Sequence, residues 1–167
     1  MDHIYLIGFM GSGKSTIGKS MRDVFKYKLF DMDVQMEERY RKSISDIMNL
    51  HGEKIFRNLE TGILYSIDGY GTVVATGGGI VEKQKNIEYM KYTGYIVFLQ
   101  ASFKTIEKRL KNDTSRPLWN TDRERQKELF SRREQMYIKA SDFTIQTNNR
   151  TPQAISRDIY LLSKRLT

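Results

Sequence analysis

The chain has 167 residues, 39% of them apolar and 29% charged, with 12 glycines, 2 prolines and no cysteine. A length within the usual domain range of about 100–200 residues and this composition predict one folded domain and exclude a disordered or fibrous chain. The lack of cysteine excludes a disulfide framework, a thiolate nucleophile and a cysteine-based zinc site. The net charge of +8 is unevenly placed, with 13 basic and 12 acidic residues in 1–100 against 15 and 8 in 101–167. Such a bias suits an anionic partner, whether nucleic acid, a membrane surface or a small phosphorylated ligand.

The chain opens MDHIYLIGFMGSGKST, with no basic stretch before an apolar run that glycine soon interrupts. Neither a signal peptide nor a membrane span is expected there or further on, which makes a cytoplasmic setting the default. Strands are predicted at Ile4–Ile7, Leu29–Phe30, Val73–Ala75, Tyr95–Leu99 and Phe143–Ile145. Most are apolar on both faces, and long segments separate them, as in a parallel sheet covered on both sides by helices. Helices are predicted over residues 14–25, 33–41, 44–50, 53–68, 83–91, 103–111, 122–139 and 152–165. Thr121 with Glu124 has capping-box spacing, and Thr151 before Pro152 places a hydroxyl at the N-cap and proline at the first helical position. The polar stretch 112–121 contains Pro117 and is expected to be a mobile loop. The reading is an α/β chain with three layers around a five-stranded parallel sheet.

The segment Gly8-Phe-Met-Gly11-Ser12-Gly13-Lys14-Ser15 fits G-x-x-x-x-G-K-[ST], a pattern expected in a shuffled chain of this composition on the order of 1% of the time. It follows the first predicted strand and opens the first predicted helix. Glycines there let successive backbone N–H groups turn toward phosphate oxygens, and the helix adds its positive N-terminal end. Lys14 can reach the β- and γ-phosphates, and the Ser15 hydroxyl can ligate Mg²⁺. The loop predicts a nucleoside-triphosphate site.

Such a loop alone does not separate kinases from GTPases, motors or switches. No N/T-K-x-D signature for guanine is present, and the chain has no room for the extra domains of a motor. Asp31 and Asp33 close the second strand, where carboxylates at i and i+2 on an extended backbone face one side at the ligand-binding edge of the sheet. One could hold Mg²⁺ through water and the other contact an acceptor hydroxyl, although Asp33 is equally suited to cap helix 33–41. Thr76-Gly77-Gly78-Gly79 follows the third strand and permits close backbone approach to a ligand. Arg57, Arg109, Arg116 and Arg133 are candidates for planar recognition of carboxylate or phosphate, each with the alternative of a solvated helix charge. His3 and His51 have no metal-ligand partners in the sequence and are expected at the surface or in loops.

The ordered set GFMGSGKST, FDMD, FRNLE, ATGGG, SRPLW, RREQMY and NRTP resembles the shikimate kinase family, within the nucleoside-monophosphate-kinase-like group, over residues 4–165. The resemblance implies a phosphate-loop kinase fold with a lid near 112–121 and a substrate-binding helical region near 33–60. It implies transfer of the γ-phosphoryl of MgATP to the 3-hydroxyl of shikimate, with one Mg²⁺ per site. Gly11, Ser12, Gly13, Lys14, Ser15 and Thr16 would then hold the phosphates, and Arg109 with Arg150–Pro152 would flank the adenine. Asp33 would position or deprotonate the hydroxyl, Arg57 and Arg133 would clamp the carboxylate, and Gly78–Gly79 would approach the ring. Glu60 would hold Arg57. Lys14 and Arg116 would offset charge on the transferring phosphoryl, with Ser15 on Mg²⁺ and Asp31 reaching it through water.

Two positions depart from the family pattern. RREQMY lacks the proline usual after the arginine, and Trp119 stands where a smaller apolar residue is common; as the sole tryptophan of the lid it would report closure. A gluconate or nucleotide kinase is the alternative enzyme, although the joint DMD and GGG segments favour shikimate. A nucleotide-dependent nucleic-acid-binding module is the other alternative, disfavoured because the aromatics sit mostly at core spacing. A monomer without nucleic-acid or membrane partners is expected.

Overall fold

In a computed structural model that describes residues 2–113 and 118–166, five strands form one parallel sheet. They are β1 (His3–Ile7), β2 (Lys28–Asp31), β3 (Thr72–Ala75), β4 (Gly94–Gln100) and β5 (Phe143–Gln146), in the order β2-β3-β1-β4-β5. The helices are α1 (Lys14–Phe25), α2 (Met32–Tyr40), α3 (Ile44–Tyr65), α4 (Gln84–Thr93), α5 (Phe103–Leu110), α6 (Arg123–Ala140) and α7 (Pro152–Leu166). A 3₁₀ turn, Ile80–Glu82, precedes α4.

The period of two in β1 explains the layers. Tyr5 and Ile7 face a core shared with α3, α4, α5 and α6, while Ile4 and Leu6 face the core formed by α1 and α7. Every β1 residue is buried, and each aliphatic side chain removed from water there contributes about 1.5–3 kcal/mol. His3 belongs to this strand as well, contrary to the surface or loop position expected for it. It is 5% exposed, its Nδ1 accepts from the Thr72 N–H at 3.4 Å, and burial lowers its pKa.

The expected three-layer architecture is present, and most boundaries agree within a residue or two. α3 is interrupted at Gly52 (φ 77°, ψ 164°), where two separate helices were expected. Thr151 does cap α7, its hydroxyl accepting from the Ala154 N–H at 3.2 Å. The cap of α6 is Asp122 rather than Thr121, because the carboxylate accepts from the Arg125 N–H at 3.0 Å and so fixes the start one residue later. α6 runs unbroken through Arg133–Tyr137 without the missing proline.

The chain leaves β1 for β2 on one side and later crosses to β4 on the other. That reversal opens a crevice at the carboxyl end of β1, where open α/β sheets bind ligands.

Candidate active site

The loop between β1 and α1 occupies this crevice. Gly13 has φ 101° at the N-cap of α1, a conformation that costs a residue with a Cβ but not glycine. No side chain caps this helix, so its first-turn amides are presented toward the crevice. Lys14 is largely buried, and its ammonium donates to the carbonyls of Gly8 at 2.7 Å and Phe9 at 3.0 Å. The loop borders a cavity of about 370 Å³. Residues 11–16, Asp33, Gly78, Arg109, Arg150 and Pro152 all line it, so the expected nucleotide residues meet in one place. The Arg109 guanidinium donates to the Gly11 carbonyl at 2.9 Å. Arg150 is anchored by Asp158 at 2.6 Å. Thr76, the first residue of the glycine segment, lines it as well, and Met10, Ile17, Thr147 and Ile155 complete the wall; nothing in the types of these last four marks a ligand site.

A second, narrower cavity of about 50 Å³ adjoins it. Asp33, Arg57, Glu60, Gly77–Gly79 and Arg133 line it together with the apolar side chains of Ile44, Met48, Phe56 and Leu118. Met10, Asp33 and Gly78 border both cavities. Asp33, Arg57 and Arg133, to which the resemblance gives the acceptor, thus border one cavity beside the phosphate loop.

Close packing explains the glycines here. A Cβ on Gly79 would stand 2.2 Å from Cζ of Arg57, and one on Gly77 would stand 2.2 Å from Oε1 of Glu60. Arg57 donates to Glu60 at 2.8 Å and to Glu53 at 3.2 Å. Burial pushes the Glu60 carboxyl upward against the pull of Arg57, which stands 2.8 Å from it. Arg133 is 1% exposed. Its Nε donates to Glu82 at 2.9 Å, while Nη2 is buried without a hydrogen-bond partner. The Tyr137 hydroxyl donates to the Gly78 carbonyl at 2.5 Å, and burial raises its pKa. Glu82 and Tyr137 thus tie the glycine turn to α6, a role that the sequence did not disclose.

The two aspartates differ from expectation. β2 ends at Asp31, and α2 begins at Met32, so no extended backbone carries both carboxylates. Asp31, not Asp33, caps α2, with Oδ1 accepting from the Asp33 and Val34 N–H groups at 3.1 and 3.4 Å. Ser15, Asp31 and Asp33 nevertheless border one further cavity. One hydroxyl and two carboxylates are hard oxygen donors of the kind that Mg²⁺ takes. Among the described residues no three acidic or histidine side chains are grouped so as to hold a metal.

Arg116 lies outside the described residues, as does part of the 112–121 segment assigned as a lid. Trp119 is described and is 6% exposed, packed rather than exposed. Its ring meets Phe9 and Phe103 at centroid distances of 6.0 and 5.9 Å, and its carbonyl accepts from Gln126 at 2.7 Å.

A glycine-rich loop at the switch point of a parallel sheet, with a second cavity sharing its wall, defines a phosphate-loop phosphotransferase. The family model for shikimate kinase matches residues 10–162, and the chain belongs to that family. The shikimate kinase of Sulfurihydrogenibium sp. is 40% identical over 99% of both chains. That of Rippkaea orientalis is 44% identical over 94% of this chain and 85% of its own. A solved shikimate kinase from Acinetobacter baumannii, in complex with shikimate, superposes with a TM-score of 0.92 at 30% identity, covering 100% of this chain and 96% of its own. The deoxyadenosine kinase of M. mycoides shares the fold, with a TM-score of 0.63 at 16% identity.

Proposed function

We propose that this chain transfers the γ-phosphoryl of ATP to the 3-hydroxyl of shikimate, and that the residues brought together above carry the reaction. The observation that supports this most is the convergence of Asp33, Arg57 and Arg133 on a cavity whose wall is shared with the phosphate loop. A carboxylate at one end of the acceptor meets the two guanidiniums, and a hydroxyl at the other end comes beside Asp33.

In this reading the amides of residues 11–16 cradle the triphosphate, and Lys14 exchanges its loop carbonyls for phosphate oxygens. Arg109 and Arg150–Pro152 flank the adenine. Ser15 and Asp31 would hold Mg²⁺, which when bound offsets charge on the β- and γ-phosphates. The hydroxyl oxygen of the acceptor forms a bond to the γ-phosphorus as the bond to the bridging oxygen of ADP breaks, and Asp33 takes the hydroxyl proton. Most of the catalytic effect is positioning and electrostatics. Arg116 keeps the role implied by the resemblance and lies outside the described residues.

A cavity of about 50 Å³ is small against the roughly 300–1,000 Å³ of ordinary ligand pockets. In this reading the wall formed by Ile44, Met48 and Phe56, in region 33–60, shifts as a ring acid enters. In this reading the working unit is a monomer. The test is ADP release with shikimate, gluconate and nucleoside monophosphates in parallel. Turnover with shikimate alone is expected, and preferential turnover of either other acceptor would overturn the reading.

A further inference from the structure

Arg133 lies at the back of the acid cavity with one hydrogen-bonded nitrogen and one orphan. Nε donates to Glu82 at 2.9 Å, while Nη2 is buried without a hydrogen-bond partner. Nη2 is 3.9 Å from Oε1 of Glu53, beyond hydrogen-bond reach. That Glu53 oxygen is already engaged by Arg57 at 3.2 Å. A guanidinium is a planar fork whose aim decides whether it binds a carboxylate bidentately. The fork at Arg133 thus has two carboxylates of the protein within range, one gripping its rear edge and one standing near its front.

Glu82 is built to hold the rear. It ends the 3₁₀ turn that follows the glycines, and its N–H donates to the Gly79 carbonyl at 2.9 Å. Its carboxylate also receives both terminal nitrogens of Arg132, at 2.8 and 3.0 Å. The same short turn therefore fixes the glycine backbone facing the acceptor and the guanidinium facing the acceptor's carboxylate.

We propose that Glu82 is a positioning residue for acceptor recognition. By holding Nε it keeps the Arg133 fork aimed at the acid and off Glu53. Without it, the buried guanidinium turns to the nearest other carboxylate, Glu53, and is lost to the substrate. This rests on shikimate being the acceptor, and turnover of shikimate by the wild-type chain tests that separately.

The experiment is steady-state kinetics on the full chain, with shikimate and ATP varied independently. Glu82→Ala is expected to raise the KM for shikimate about tenfold, the scale of one charge-assisted hydrogen bond, with the KM for ATP within twofold. Glu82→Gln, which keeps the length and one acceptor oxygen, is expected to raise it about threefold, and decides the matter if the alanine variant does not fold. Adding Glu53→Gln to either variant is expected to recover at least half of the loss, measured against Glu53→Gln alone because that residue also pairs with Arg57, since the competing carboxylate is gone. Arg132→Gln removes the exposed partner of Glu82 and is expected to leave the KM for shikimate within twofold. The proposal is overturned if Glu82→Gln leaves that KM unchanged or raises both KM values together. It is equally overturned if Glu53→Gln gives no recovery, or if Arg132→Gln costs as much as the Glu82 variants.

Discussion

The nucleotide end and the acid end of the site are built on opposite plans. Around the phosphates, one continuous loop supplies backbone amides, and even the ammonium of Lys14 rests on backbone carbonyls. Around the acid, side chains from α2, α3, the glycine turn and α6 meet, and carboxylates hold the guanidiniums in place. A backbone cradle depends on glycine at a few adjacent positions and tolerates many neighbours. A cavity of paired charges depends on every partner, since removing one leaves another buried and uncompensated. The first plan suits a ligand common to many enzymes, and the second would confer selectivity for one acceptor.

Asp33 stands where the two plans meet, so breaking it tests both at once. Asp33→Asn is expected to lower kcat by about 10²–10⁴-fold, the range for a lost general base, with ATP affinity within a few-fold. Kinetics and nucleotide titration check this, and an equal loss of ATP affinity would place Asp33 with the nucleotide end alone. Lys14→Ala confines the damage to that end. It is expected to lower kcat by about 10²–10³-fold, the scale of one lost transition-state donor, while the melting temperature shows an intact fold. Retained turnover would contradict the place given to this ammonium.

The contrast also explains what could be read beforehand. The cradle was evident because glycine and lysine at fixed spacing determine a local backbone, and the strands because apolar runs determine a buried sheet. The arginines of the acid cavity rested on family resemblance, since spacing alone cannot bring residue 57 to residue 133. Glu82 and Tyr137 escaped notice because their partners lie 51 and 59 residues away across a 3₁₀ turn that no periodicity announces. The exchange of roles between Asp31 and Asp33 comes from placing the helix start at residue 33; α2 starts at Met32, and the cap falls to the residue before it. His3 was misplaced for a related reason, as a polar residue in a short apolar run carries no sign that its strand is central.

A smaller change should separate the two ends cleanly. Gly79 has φ −95° and ψ 9°, which alanine adopts without strain, so Gly79→Ala costs the backbone little. The new Cβ would stand 2.2–2.4 Å from three guanidinium atoms of Arg57, and the side chain that yields is the one proposed to grip the acid. The KM for shikimate is expected to rise about tenfold through the lost charge-assisted contact, with the KM for ATP unchanged. A parallel rise in both would show that the glycine turn serves the nucleotide as much as the acid.

The smallest effect concerns protons. Carbonyls hold Lys14 on the nucleotide side and have nothing to titrate, whereas the carboxylates of the acid side do. Burial pushes the Glu82 carboxyl up, but the hydrogen bonds and charges of Arg132 and Arg133 outweigh this and hold it below its ordinary value of 4.5. As pH falls, the unfolded chain therefore binds a proton at this position before the folded one does. The stability that Glu82 contributes is fully present above about pH 4.5 and is lost as pH drops through the depressed value. Glu82→Gln is expected to lower the melting temperature by about 2–4 °C at pH 7, where a domain of this size shifts by that much per kcal/mol. The gap from wild type should close as the scan moves below pH 4.5. A gap that stays constant down to pH 3.5 would mean that the carboxylate charge contributes nothing to the tie, and that shape alone holds the glycine turn against α6.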